Sequence, residues 1–391
     1  MNIKLIETIE GKIKLKVPDI KFYSGEKLEP AWAPIFYNPR MRTARDIDVA
    51  LIEAYSSFNS RGAITVCEPL SATGVRGLRY AAEVNTVEKV VINDKVSKAY
   101  MLELENAKLN GLLNKVEVYN REARALLLEL AEKGVKFDVV DIDPFGSPVP
   151  FTEAALLAIK HKGMLCVTAT DLAPLFGVKT EACKRKYFAI PLQTEFSKEI
   201  GARIMLGFVA RQAAKLGLGV HPLFTALIGH ALRLSVLIKR SRSSAIKSLN
   251  LIGLARYCCK CFYRDLAEGL ILRSEECPQC GTKLSVGGPL WIGPLWDPGF
   301  CKLAHRCYEK HGYLSSKGLK VMRTVASESQ GPSLYTTVTV IARLLGSGDE
   351  PSVQKVINDV TASGKLAIPT HFDSKGVRCN IQPIDLIKLL K

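Results

Sequence analysis

Between residues 61 and 170 the chain alternates short β-branched runs with stretches whose apolar residues recur every three to four positions. This alternation predicts a parallel sheet covered by helices. The expected strands are Ile64-Thr65-Val66-Cys67, Val90-Val91-Ile92, Val116-Glu117-Val118-Tyr119, Phe137 to Ile142 and Met164 to Thr168. Helices are expected over Gly77 to Val84, Lys98 to Leu109 and Ala123 to Lys133. The fold class is α/β: a Rossmann-like, mostly parallel sheet with helices on both faces.

Upstream, Arg45 to Phe58 has the spacing of an amphipathic helix, suited to cover a sheet edge or roof a pocket. Downstream, Thr194 to Lys215 reads as a long helix ending at Gly217 and Gly219, which puts a domain boundary near residue 220. Residues 1–220 would form one domain and residues 221–391 an α+β second domain. The stretch Lys239-Arg240-Ser241-Arg242-Ser243-Ser244 reads as a loop. From Thr336 the order is helix, helix, Lys365-Leu366-Ala367-Ile368-Pro369, then a turn at Ser374-Lys375-Gly376. Both a winged-helix arrangement and a helical cap with a hairpin fit that order.

With 391 residues, 47% hydrophobic, the chain can bury a large core. No stretch approaches the roughly 20 uncharged apolar residues that span a bilayer, and Glu7 arrives too early for a secretion signal. A cytoplasmic monomer, without membrane association or an obligate protein partner, is the expectation. The net charge of +16 suits a polyanionic partner and equally a general basic bias. Eleven cysteines in such a chain point to thiols and a metal site, not to disulfides.

In a doubly wound sheet, ligands sit past the carboxyl ends of the strands. After the first strand, the small residues of Glu68-Pro69-Leu70-Ser71-Ala72-Thr73-Gly74-Val75-Arg76-Gly77 allow close approach to a ligand, although this is not the dinucleotide fingerprint. After the second comes Asn93-Asp94, an acid placed to accept from ribose hydroxyls; after the third, Glu122-Ala123, an acceptor for an adenine amino group. Each acid could equally cap a helix. Three consecutive strand ends carrying the expected group suit an adenosine-containing ligand.

The fourth strand ends in Asp141-Ile142-Asp143-Pro144-Phe145-Gly146-Ser147-Pro148. An exocyclic amine on a nucleobase is a poor nucleophile because its lone pair is delocalised into the ring. Asp143 and the Pro144 carbonyl, accepting its hydrogens, would favour a more tetrahedral nitrogen, and the carboxylate would take the proton. Phe145 offers a stacking face for an extruded base. The alternative is a strand-terminating turn with Phe145 in the core.

These segments, with Phe36-Tyr37-Asn38-Pro39-Arg40-Met41, Arg45-Asp46, Val167-Thr168-Ala169-Thr170-Asp171 and Gly293-Pro294-Leu295-Trp296, resemble the archaeal and eukaryotic tRNA guanine-26 dimethyltransferases over most of the chain. The resemblance implies a class I methyltransferase domain that uses S-adenosylmethionine, with tRNA as substrate. It further implies that Arg45, Arg76, Asp94, Glu122 and Ala123 contact the donor, that Asp143 is the catalytic acceptor, and that Phe36 and Phe145 sandwich the guanine beside Pro144. Glu122 departs from the aspartate that relatives often carry. The guanine lies at the junction of two stems, so it would be extruded.

Cys258 and Cys261 form one C-x-x-C and Cys277 and Cys280 another, fifteen residues apart. This spacing fits a four-thiolate structural zinc in a ribbon over about residues 256–283. Cys259 gives a poorer knuckle than Cys258. Lys179, Lys184-Arg185-Lys186, Lys239-Arg240 and Arg242 are candidates to grip phosphates, or are plain solvated faces. Two rival readings share parts of this pattern: an amino-directed DNA methyltransferase, and a non-catalytic zinc-ribbon RNA-binding protein.

Overall fold

The computed structural model describes residues 3–271 and 274–390; Met1, Asn2, Lys391 and residues 272 and 273 of the expected ribbon lie outside them. By its internal contacts the chain forms two compact units. Unit 1 comprises Met1–Thr168, Ser235–Ile238 and Lys302–Met322; unit 2 comprises Ala169–Leu234, Lys239–Cys301 and Arg323–Lys391. The sequence suggests a single boundary near residue 220, whereas each unit here is built from three separate stretches of chain. Hydrophobic periodicity reports local burial and carries no sign of which distant segment supplies it.

Unit 1 begins with the hairpin β1 (Leu5–Glu10) and β2 (Ile13–Pro18), followed by α1 (Ile20–Ser24) and α2 (Arg42–Phe58). Alternating elements follow: β3 (Ile64–Glu68), α3 (Val75–Glu83), β4 (Val87–Asn93), α4 (Ser97–Leu109), β5 (Val116–Tyr119), α5 (Ala123–Glu132), β6 (Phe137–Ile142), α6 (Thr152–Ala158) and β7 (Ile159–Ala169). All five predicted strands are present. β3 pairs in parallel with β4 and β6, β4 with β5, and β6 with β7.

Beyond β7 come α7 (Leu172–Leu175), α8 (Thr180–Tyr187), α9 (Ser197–Lys215), β8 (Leu218–Ile228), β9 (Ala231–Arg240), α10 (Arg242–Leu249), β10 (Ile252–Tyr257), β11 (Arg264–Glu268), β12 (Ser285–Trp291), α11 (Pro298–Lys310) and α12 (Ser316–Glu328). The chain closes with β13 (Thr336–Thr337), α13 (Val338–Leu345), α14 (Val353–Ala362), β14 (Ala367–Pro369), β15 (Gly376–Cys379) and α15 (Pro383–Leu390). The main sheet has the order β5-β4-β3-β6-β7-β9-β8. Its order reverses between β3 and β6, and ligand crevices open past the carboxyl ends at such a point.

Two local expectations change. The stretch Lys239 to Ser244 is no loop: β9 runs to Arg240, and the Ser241 hydroxyl accepts from the Ser244 amide to start α10. Serine there acts as a helix cap, which a serine-rich composition disguises. α2 is not amphipathic in the usual sense, because Ala44 to Ile52 are all buried, including Arg45, Asp46 and Asp48. Its charges are paired inside unit 1. Arg79 bonds Glu83, Glu10 and Asp46 at 2.8–3.1 Å, and the segment 302–322 adds the Ser315 amide to Asp46 (3.0 Å), His311 to Glu53 (2.6 Å) and the Tyr313 hydroxyl to Glu83 (3.1 Å). Removing one partner from such a buried set costs about 3–5 kcal/mol.

At the C-terminus, β13 adds a third strand to the expected hairpin, in the order β13-β15-β14. With α13, α14 and α15 it closes a small core of Val338, Ile341, Val356, Val360, Val377 and Leu386. Among the described residues no helix is long and apolar enough to cross a membrane.

Candidate functional site

Past β3 the chain turns through Ser71-Ala72-Thr73-Gly74, with Gly74 left-handed at φ 74°. Asp94, at the end of β4, accepts the Ala72 amide at 3.2 Å and the Val96 amide at 2.8 Å. A carboxylate has about four acceptor positions, so capacity remains for ligand hydroxyls. Burial raises its pKa against the pull of the two amides. Its neighbour Asn93 donates to the Pro69 and Arg121 carbonyls (2.9 and 3.1 Å) and accepts the Arg121 amide (3.0 Å). One buried side chain thereby ties together the ends of β3, β4 and β5.

Glu122 is exposed and caps α5, accepting the Ala125 amide at 3.0 Å and pairing with Arg124 at 3.1 Å. Its burial works to raise the pKa, and the Ala125 amide and Arg124 outweigh it, so the carboxyl titrates low. Ala123 is buried beside it.

Arg76, on α3, lies among four acids. It bonds Asp48 and, at 2.5 Å, Asp143, with Asp141 at 3.8 Å and Glu68 at 4.0 Å from Nε. Burial first, then Asp141, pushes the Glu68 carboxyl well above the carboxylate range, although the Gly77 amide donates to it at 2.7 Å. Asp141 also accepts the Tyr80 hydroxyl at 2.7 Å. Acid surplus around one guanidinium suits a cationic ligand. Gly77 lets α3 approach the sheet: a Cβ there would stand 2.4 Å from Ile92 Cγ2.

Asp143 stands at the mouth of this cluster, its side chain 17% exposed, with Pro144 buried behind it. Phe145 is 69% exposed and meets Phe36 edge-on, ring centroids 4.3 Å apart at 72°. The rings touch, so a base enters between them only when one swings aside. Gly146, left-handed at φ 83°, follows Phe145 in a turn that glycine tolerates. Arg45 has a different set of partners: it makes a bidentate pair with Glu10 at 2.6 Å, reaches the Asn38 carbonyl at 3.1 Å and covers the Tyr37 ring. Burial would raise the Glu10 pKa, but Arg45 and then Arg79 bring it down.

In unit 2 the Sγ atoms of Cys258, Cys261, Cys277 and Cys280 lie within 4.8 Å of one another, while Cys259 is exposed. A tetrahedral zinc at about 2.3 Å from each thiolate requires sulfurs about 3.8 Å apart. Cys258 to Cys280 is 3.5 Å and Cys261 to Cys277 is 3.4 Å, so the donor set fits. Both loops have one geometry. The Cys258 amide donates to the Tyr263 carbonyl and the Phe262 amide to the Cys258 carbonyl; Cys277 repeats this with Thr282 and Gly281. Phe262 and Gly281 share the left-handed corner, at φ 60° and 69°.

The family model for N2,N2-dimethylguanosine tRNA methyltransferases matches residues 11–391. The chain belongs to this family. A tRNA (guanine(26)-N(2))-dimethyltransferase of Methanosphaera stadtmanae is 35% identical over 100% of this chain and 97% of its own length. A tRNA (guanine(26)-N(2)/guanine(27)-N(2))-dimethyltransferase of Aquifex aeolicus is 34% identical over 98% of this chain and 95% of its own. The solved complex of Trm1 from Pyrococcus horikoshii with S-adenosyl-L-methionine superposes with a TM-score of 0.85 at 31% identity, covering 98% of this chain and 99% of that one.

In this family member one buried acid escaped the sequence reading. Glu103, on α4, meets the Ser71 hydroxyl at 2.6 Å, and Ser71 Oγ also contacts the Asn93 carbonyl and amide at 3.0 Å. The Ser71 hydroxyl donates to the Glu103 carboxyl and accepts the Asn93 amide. Burial pushes the Glu103 pKa up to about 8, against the Ser71 bond, which lowers it. A folded-state pKa above the unfolded value means that folding takes up a proton between pH 4.5 and about 8, so stability falls as pH rises through that window. Glu103→Gln keeps an acceptor for the Ser71 hydroxyl and removes the titration. The melting temperatures of wild type and variant should agree near the low end of the window and diverge in the variant's favour toward its high end. Parallel pH curves would rule the raised pKa out.

Proposed function

We propose that this chain transfers methyl groups from S-adenosylmethionine to the exocyclic N2 of guanosine 26 in tRNA, giving N2,N2-dimethylguanosine. One observation carries the reading: the family match runs through both units, and relatives named for this activity align from end to end.

S-adenosylmethionine supplies an electrophilic methyl on a cationic sulfur. The acids around Arg76 provide the matching negative field, and Asp94 and the Ser71–Gly74 turn are placed for the nucleoside part, with Glu122-Ala123 at the adenine end. Arg76 holds Asp143 in one orientation. Asp143 and the Pro144 carbonyl accept the amine hydrogens, and Asp143 receives the proton, which its partly exposed position passes to solvent. Phe145 and Phe36 hold the extruded guanine. A monomethylated amine keeps one hydrogen, and rotation about the C–N bond presents it to Asp143 for a second round. In this reading the C-terminal half contacts RNA, its ribbon braced by zinc on the four cysteines. Cysteines spaced for a metal site, with the tRNA substrate, support a reducing compartment such as the cytoplasm.

Nucleoside mass spectrometry of a tRNA transcript incubated with enzyme and donor tests this. N2-methylated and N2,N2-dimethylated guanosine should appear and vanish when guanosine 26 is replaced by adenosine. Methylation of duplex DNA without tRNA would favour the DNA-directed alternative; tRNA binding without donor binding would favour the non-catalytic one.

A further inference from the structure

Phe188 follows α8 directly and caps it in the left-handed region, at φ 52°. That position normally holds glycine or asparagine, and a bulky L residue there is strained and persists only where its surroundings enforce it. Here they do. The Phe188 amide donates to the Lys184 carbonyl at 3.0 Å, and the Arg211 guanidinium donates to the Tyr187 carbonyl (2.8 Å) and the Phe188 carbonyl (3.4 Å). Two residues on, Ile190 and Gly288 exchange a pair of amide–carbonyl bonds at 2.8 Å.

The backbone is pinned, yet the strained residue gains little burial: Phe188 is 64% exposed. Tyr187 and Ala189 point inward, so Phe188 and Ile190, itself 47% exposed, share an outward ledge. The surrounding charge is basic. Lys184 and Arg185 are exposed in the last turn of α8, and Lys179 is exposed just before it. Lys184 has an exposed partner, Glu181, and Lys186 pairs with Asp171 at 2.9 Å. A rigid exposed ring among cations has the chemistry of a stacking platform for an unpaired base, with the cations taking the adjoining phosphates.

We propose that Phe188 stacks on an unpaired nucleotide of the RNA substrate, Lys184 and Arg185 contacting its neighbouring phosphates. The assignment rests on the tRNA reading above. Phe188→Gly relieves the left-handed strain and removes the ring, so it should raise the melting temperature while weakening tRNA binding about ten-fold in fluorescence anisotropy. Phe188→Trp should retain binding. A melting temperature at or above that of wild type in Phe188→Gly reports an intact fold. Binding within two-fold of wild type in Phe188→Gly would overturn the proposal, as would a loss of self-association with RNA affinity unchanged, which would assign the ledge to a second copy. If wild type methylates tRNA and Phe188→Gly binds it equally, only this inference fails; if wild type neither binds nor methylates tRNA, the functional reading fails with it.

Discussion

Asp143→Ala should abolish methyl transfer while S-adenosylmethionine still binds. Losing a positioned proton acceptor lowers rates by roughly 10²–10⁴-fold, and in the proposed mechanism the same side chain also accepts the amine's hydrogens to make its nitrogen nucleophilic, so the upper part of that range is expected. The fold should tolerate the change, because Asp143 lies at the mouth of the acid cluster and Arg76 keeps Asp48 as its buried partner. Asp143→Asn is the sharper companion: its amide oxygen still accepts one hydrogen but takes up no proton. Single-turnover transfer of labelled methyl to tRNA gives the rate, and calorimetric titration gives donor affinity. Turnover of Asp143→Ala within three-fold of wild type would remove this residue from the chemistry.

Cys277→Ser is expected to have the largest effect on stability. Four thiolates leave no open coordination position, so the ion the cluster fits is structural. Structural zinc binding is worth roughly 10–16 kcal/mol in small zinc domains, and that energy is folding energy. Wild type should carry one equivalent of zinc. The variant should lose it and melt at lower temperature, and chelation of wild type should reproduce that loss. Donor binding should persist, because the acids around Arg76 belong to unit 1. Metal analysis finding no zinc in wild type would refute the assignment.

The sheet was legible because its inner strands are buried on both faces and read as short apolar runs, while the edge strand alternates; Phe137 to Ile142 and Val116 to Tyr119 begin and end where the pattern places them. The cysteine spacing was equally clear, since ligand geometry restricts it. Polar residues inside the molecule were harder. Glu103 and Asn106 share the helical phase of Ala99 and Leu102, a spacing that marks a buried face, yet carboxylate and amide side chains usually signal solvent. Arg45 carries no local sign of its partner, because Glu10 lies 35 residues away in another element. The left-handed φ of Phe188 has no counterpart in composition, so nothing in the sequence marks it.

The three-part make-up of unit 1 bears on how the protein is born. A ribosome releases residues in order, at roughly 5–20 per second, so the stretch between Thr168 and Met322 emerges over roughly 8–30 s. Throughout that interval Asp46, Glu53 and Glu83 await Ser315, His311 and Tyr313. Unit 1 thus reaches its finished state only when four-fifths of the polypeptide has been made, and a nascent chain halted before then leaves these acids without their partners.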